Sequence, residues 1–337
     1  MIDMSGWRLI GASVLALAAS TMISQPVTAA KPMYTSFDPP GSAGTYPVSI
    51  NSTGVIAGYF FSNSMSHGFV RAAHGAISTF DVAGSSYTTP SAVNDGGMIV
   101  GSYLDSSFTS HGFVRAANGK ITSFDPPGSI ETYAVGIDGT GTVVGYFLDS
   151  SVVYHGFVGT VGGLIMTIPT GSTSSQALAV NDKGAICGNY QTNSSFSHGF
   201  VRAPGGRVTS FDLSGSIGIG CTGINDKRVV TGYYDDAASV GHGFVRAGDG
   251  TITTFDAGGS GDAFPAGISA RGTIAGYYVD SFDVSHGFVR ATDGTIKTFD
   301  FPGAKTGTNV FAINGSGSIV GQYYDDNGVF HGFLRTP

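Results

Sequence analysis

The chain has 337 residues, 53 of them glycine, about 16% against an ordinary usage of roughly 7%. Charged residues make up 12%, about half the usual share, and 41% are hydrophobic, which excludes disorder driven by charge and low hydrophobicity. A net charge of -7 without any cluster of Lys and Arg excludes a nucleic-acid partner, because phosphate binding needs such clusters.

Residues 1–30 read as a secretory signal. Arg8 precedes an apolar run from Leu9 to Ala19, and Val27-Thr28-Ala29-Ala30 places small residues where a signal peptidase cuts, after Ala29 or Ala30. The run is too short to span a bilayer and no later stretch approaches ~20 apolar residues, so no transmembrane anchor is expected. Residues 31–337 are expected to form a single secreted domain, extracellular or periplasmic, and to be monomeric.

A repeat organises that domain. His-Gly-Phe recurs at His67, His111, His155, His198, His242, His286 and His331, spaced by 43 to 45 residues. Between copies stands Ile/Val-Asn-Asp-x-Gly or a relative, starting at Ile50, Val93, Ile137, Val180, Ile224, Ile268 and Ile313. A third phrase, Ser/Thr-Phe-Asp, ends at Asp38, Asp81, Asp125, Asp212, Asp256 and Asp300, with Ile168-Pro169 where one more is due.

Within a unit, short segments with alternating or β-branched apolar residues are punctuated by glycine and Asn-Asp turns, which predicts strands and hairpins. In the second unit these are strand a (91–94), strand b (98–103), strand c (111–116) and strand d (120–125). Asp95-Gly96-Gly97 and Asn118-Gly119 supply the positive-φ residues of tight hairpins. Seven four-stranded units of about 44 residues predict an all-β fold, a seven-bladed β-propeller. Met33 to Asp38 is a lone strand d and the last unit stops after strand c, so the two are expected to pair and close the ring.

His-Gly-Phe-Val-Arg followed by Ile-Asn-Asp-x-Gly-x-Ile-Val-Gly-Tyr-Tyr resembles the HAF repeat family of bacterial extracellular proteins, over nearly all of residues 34–337. The resemblance implies a secreted or surface-exposed bacterial repeat protein and carries no activity to particular residues.

Each motif histidine stands 14 residues before the Asp of its unit, which places the two opposite each other on a symmetric hairpin. The expected pairs are His67 with Asp81, His111 with Asp125, His198 with Asp212, His242 with Asp256, His286 with Asp300 and, through closure, His331 with Asp38. These are read as buried structural pairs. A catalytic site needs one constellation, and histidines spread around a ring cannot converge on one zinc at ~2.1 Å. His155, opposite Pro169, lacks that partner. The repeated arginines from Arg71 to Arg335 and the Tyr or Phe pairs after strand b are likewise assigned to packing.

A ligand is asymmetric, so its site is sought where units differ. Four residues before each Ile/Val-Asn turn stand Tyr46, Thr89, Tyr133, Gln176, Gly220, Phe264 and Asn309, a mixed set on the face of the d-to-a and b-to-c loops. If strand a is innermost they rim the tunnel mouth, where aromatic and amide groups suit a sugar or peptide. The same face carries Asp105, Asp149, Asp236, Asp280 and Asp325, expected to cap turns. No metal site is assigned; Ca²⁺ at these carboxylates is the alternative.

Cys187 and Cys221 permit one bridge, but ordinary apolar residues occupy both places in other units, so two free thiols are expected. Two functions fit: a secreted module binding a cell-surface glycan or protein through its loop face, or a polysaccharide lyase or hydrolase with its site at the tunnel mouth. A His, Tyr or Arg outside the repeat consensus, placed beside a carboxylate in the central pocket, would favour the enzyme.

Overall fold

Apolar segments separated by glycine-bearing turns become strands throughout the computed structural model, which describes residues 31–160, 162–192, 196–259 and 262–337. The expected signal segment lies outside the described residues. Among those described, no helix is long and apolar enough to cross a membrane.

The first strand is β1 (Met33–Phe37). The first blade follows as β2 (Gly44–Ile50), β3 (Ile56–Ser62), β4 (Met65–Arg71) and β5 (Ile77–Phe80). The second is β6 (Tyr87–Val93), β7 (Ile99–Leu104), β8 (Ser110–Arg115) and β9 (Ile121–Phe124). The third is β10 (Ser129–Ile137), β11 (Val143–Asp149), β12 (Tyr154–Gly159) and β13 (Ile165–Thr167). The fourth is β14 (Ser174–Val180), β15 (Ile186–Gln191), β16 (Ser197–Arg202) and β17 (Val208–Phe211). The fifth is β18 (Gly218–Ile224), β19 (Val230–Asp235), β20 (Gly241–Arg246) and β21 (Ile252–Phe255). The sixth is β22 (Ala263–Ile268), β23 (Ile274–Val279), β24 (Ser285–Arg290) and β25 (Ile296–Phe299). The last three strands are β26 (Thr308–Ile313), β27 (Ile319–Tyr324) and β28 (Phe330–Thr336).

Six blades are consecutive four-stranded meanders, and the seventh has the order β1-β28-β27-β26. β1 pairs antiparallel with β28 from Met33 opposite Thr336 to Phe37 opposite Gly332, so the seven-bladed fold and its closure are as expected. In the second blade strand a starts at Tyr87, not Ser91. The polar Thr88 and Thr89 still pair with Tyr103 and Ser102, so ladder formation overrides composition.

First strands of adjacent blades touch one another, which makes strand a innermost. Each carries a one-residue bulge, in the first blade between Pro47 and Ser49 and in the third between Ala134 and Gly136. A bulge leaves no compositional mark, and none was expected from the sequence.

The repeated phrases are blade-to-blade contacts. Phe69, Phe113, Phe157, Phe200, Phe244, Phe288 and Phe333 are fully buried. Burying a phenylalanine stabilises by roughly 1.5–3 kcal/mol. The ring of Phe80 meets that of Phe113 in the next blade edge-on at 6.2 Å, and Phe124 meets Phe157 at 6.0 Å. Over the preceding blade's Phe lies an arginine, such as Arg115 over Phe80 at 4.8 Å and Arg290 over Phe255 at 4.9 Å. Burial lowers the pKa of both guanidinium groups.

The Asn of each Ile/Val-Asn turn does more than turn the chain. Asn51 Nδ2 donates to Asn94 O at 3.0 Å, Asn94 Nδ2 to Asp138 O at 2.9 Å, and Asn314 Nδ2 to Asn51 O at 2.9 Å. Asn181 and Asn225 continue this ring around the axis on the face opposite the d-to-a loops. Cys187 and Cys221 lie in one buried cluster between the fourth and fifth blades, both free. Cys221 Sγ donates to Gly188 O at 3.3 Å, and the hydrogen bond to Cys221, with burial, pushes the Cys187 thiol up.

Candidate functional site

All six expected His-Asp pairs are in contact through Nδ1. The distances are 3.0 Å for His67 and Asp81, 2.8 Å for His111 and Asp125, and 2.6 Å for His198 and Asp212. They are 2.6 Å for His242 and Asp256, 2.8 Å for His286 and Asp300, and 2.7 Å for His331 and Asp38. The expectation of burial is corrected, since these imidazoles stay 22% to 25% exposed. The hairpin sets them at the loop face, where one edge of the ring meets water.

The acidic ring explains the other imidazole edge. Oδ1 of Asp105, Asp149, Asp236, Asp280 and Asp325 accepts backbone N–H groups two and four residues on, at 2.8 to 3.0 Å, which caps each b-to-c turn. Oδ2 of each faces the Nε2 of the histidine six residues later, at 2.9 to 3.5 Å. His155, which lacks a strand-d aspartate, is held this way by Asp149 at 2.9 Å. These carboxylates are committed within their own blades; among the described residues no group of His, Cys, Asp or Glu is arranged to hold a metal. The Thr109 N–H leads in lowering the Asp105 pKa, and the Val329 N–H leads in bringing Asp325 to about 2.

The second residue of each pair after strand b packs on the histidine, as Tyr234 on His242 at 5.1 Å and Tyr323 on His331 at 5.2 Å. The first belongs to the variable ring. Cross-strand register pairs Tyr46 with Tyr59, Thr89 with Ser102, Tyr133 with Tyr146 and Gln176 with Asn189. It likewise pairs Gly220 with Tyr233, Phe264 with Tyr277 and Asn309 with Gln322. One member of each pair stands out in the sequence; of the others, Tyr59, Tyr146, Tyr233 and Tyr277 belong to the pairs expected to pack, and Ser102, Asn189 and Gln322 carry no mark there.

These positions do not form one pocket. Tyr46 stacks on Tyr59 at 4.8 Å and meets Phe330 at 5.5 Å. Phe264 packs between Tyr277 at 5.2 Å and Tyr233 at 5.6 Å. Gln176 borders two further recesses, one of about 160 Å³ with Tyr154 and one of about 350 Å³ with Gly220 and Tyr233. The amide oxygens of Asn309 and its partner Gln322 are buried without a hydrogen-bond partner among the described residues.

Thr89 and Tyr133 share a cavity of about 420 Å³ at the inner ends of the first three blades. Small side chains open it: where other blades carry Tyr59, Tyr146, Tyr233 or Tyr277, the second has Ser102. Tyr59, Phe61, Tyr87 and Tyr146 wall the space, Ser66, Ser91, Ser102 and Ser110 line it with hydroxyls, and no charged side chain reaches its lining. Beside it, Tyr133 Oη donates to Glu131 Oε2 at 2.6 Å. Burial, then this bond and the carboxylate's charge, push the Tyr133 phenol well above its ordinary range, so it stays a donor. Glu131, the only glutamate in the chain, belongs to none of the repeated phrases, so the repeats do not single it out.

The chain matches no family profile and no curated protein. Among solved structures it is similar to a streptogramin B lyase, at 14% identity and a TM-score of 0.61 over 91% of this chain and 98% of that one. Virginiamycin B lyase from Staphylococcus aureus gives 13% identity and a TM-score of 0.60 over 91% and 100%. The β-propeller domain of the trilobed protease from Pyrococcus furiosus gives 10% identity and a TM-score of 0.63 over 86% and 95%. At these identities the likeness is one of fold: the chain is a β-propeller.

Proposed function

We propose that this propeller is a secreted or surface-exposed binding module of the HAF-repeat kind, which takes a cell-surface glycan or protein on the face bearing the d-to-a and b-to-c loops. The observation that carries the reading is the cavity of about 420 Å³, whose aromatic walls and serine hydroxyls suit a ring with one apolar face. The repeated histidines and aspartates support it too, since they satisfy one another within each blade.

A glycan array probed with the purified full chain, alongside Ser102→Tyr, tests it. The fold already accommodates tyrosine at this position in the first and third blades, so the substitution fills the cavity without opening the sheet. Binding lost in Ser102→Tyr at an unchanged melting temperature is the expected result. Binding that survives it unaltered would move the ligand elsewhere.

A second reading, a polysaccharide lyase or hydrolase, is favoured by one contact: Tyr133 of the cavity wall, outside the repeat consensus, bonds the carboxylate of Glu131 beside the cavity. Its protonated phenol could serve as an acid toward a leaving oxygen. Appearance of reducing or unsaturated ends on incubation with an array-positive polysaccharide would establish it.

A further inference from the structure

We propose that the cavity of the first three blades takes an amino sugar, with Glu131 as the counter-charge to its ammonium group; the inference rests on that cavity being the ligand site. The third blade departs from the repeat just where it meets the cavity. Its inner strand β10 is nine residues long and shifts register between Ser129 and Glu131, an irregularity none of the other inner strands has there. A shift of this kind re-aims the side chains around it. It leaves Ile130 46% exposed and Glu131 bonded to the Tyr133 hydroxyl, itself part of the cavity wall.

Two chemistries meet in the cavity, and a third stands beside its wall, one hydrogen bond away through Tyr133. The faces of Tyr59, Tyr133 and Tyr146 suit the C–H face of a sugar ring and attract a cation. Ser91 and Ser102 offer hydroxyls to its ring oxygens. The Glu131 carboxylate has one oxygen on the Tyr133 hydroxyl and can take a charge-assisted bond from an ammonium group on the other. The surrounding field has the same sign: Lys305 is the only lysine or arginine in the described d-to-a loops and b-to-c turns, while aspartates stand throughout them. A lysine side chain would satisfy the carboxylate but would leave the serine hydroxyls unused.

Calorimetric titration of the full chain with methyl glucosaminide, methyl glucoside and Nα-acetyl-lysine amide tests the proposal. The glucosaminide is expected to bind about tenfold more tightly than the glucoside, because one charge-assisted bond distinguishes them. In Glu131→Gln, which keeps an acceptor for the Tyr133 hydroxyl, the two sugars are expected to converge, with the melting temperature reporting that the fold is retained. Equal binding of both sugars to the native chain would overturn the ammonium assignment and leave the cavity as the site. Tighter binding of acetyl-lysine amide than of glucosaminide would overturn the sugar. If neither sugar binds and Ser102→Tyr leaves glycan-array binding unaltered, the cavity falls as the ligand site along with the proposal.

Discussion

A neutral imidazole carries a single N–H, yet in His111, His242, His286 and His331 both ring nitrogens face a carboxylate. Only the protonated ring satisfies both. Desolvation pulls His111, His286 and His331 down, but the hydrogen bonds and charges of their two aspartates outweigh it, and the net direction is up. For His242 the bond to Asp256 leads, and the pKa again rises. A raised folded pKa gives stability that is fully present below the unfolded value of about 6.5 and is lost as pH climbs through the folded one. The lowered Asp105, Asp236, Asp280 and Asp325 work in the other direction: their contribution is present above about pH 3.9 and is lost as pH falls through their folded values. The melting temperature is therefore expected to be highest between about pH 4 and 6.5, and to fall as the histidines deprotonate. The aspartate at the longer distance should let go first, which loosens the b-to-c turns of the ligand face. A scan of melting temperature against pH checks this, with His286→Gln expected to flatten the alkaline limb. A flat profile from pH 5.5 to 8.5 in the native chain would count against the clamp.

At the scale of the strand, the glycine of strand b is dictated by the bulge opposite. A Cβ on Gly145 would lie 2.0 Å from the Tyr133 carbonyl oxygen, and one on Gly58 would lie 2.2 Å from that of Tyr46. The inner strand kinks inward at the site residue, and only a bare α-carbon admits its backbone. Gly145→Ala must push β10 away from β11, and overpacking of this kind costs about 1–3 kcal/mol. Denaturant unfolding of the variant should show that loss, together with weakened ligand binding, because Tyr133 moves with the strand. An alanine variant as stable as the native chain would show that the bulge yields freely. Much of this architecture was legible in the sequence, since a repeat of 43 to 45 residues projects directly onto blades and a spacing of 14 onto a hairpin. The contact from five of the seven motif histidines to the aspartate six residues earlier is written there as plainly, in a spacing that joins them within a blade. What could not be read was the packing between blades. The Asn ring joins residues 43 or 44 apart through geometry that no local pattern encodes, and the cavity depends on which of three neighbouring blades supplies small side chains.

A ring of seven blades must be closed twice, at the axis and at the rim. On the inner side Asn314 Nδ2 bonds Asn51 O, one hydrogen bond joining last blade to first. On the outer side the seam is β1, whose five residues pair with β28. Phe37, 9% exposed, meets Phe69 edge-on at 6.1 Å and lies under Arg71 at 4.9 Å. Asp38 then holds both His331 at 2.7 Å and the buried Thr45 at 2.5 Å. Removing residues 32–38 would take away a buried aromatic, a strand's ladder and the partner of two polar groups, and would leave β28 as an open edge. Burial of one phenylalanine at roughly 1.5–3 kcal/mol, with several hydrogen bonds of about 1 kcal/mol each, puts the loss near 4–8 kcal/mol. At about 2–4 °C per kcal/mol for a chain of this size, the melting temperature should fall by more than about 8 °C. Asn314→Ala, which removes the bond to Asn51 O and also the turn bonds that Asn314 Oδ1 accepts from Ser316 and Ser318, should cost about 2–4 kcal/mol. A synthetic peptide of residues 32–38 added to the truncated chain should restore much of the loss, because the vacated edge of β28 is a template for an added strand. If truncation leaves the melting temperature unchanged, the ring holds without its outer seam, and the stability of the seventh blade must come from β26 and β27 against their neighbours.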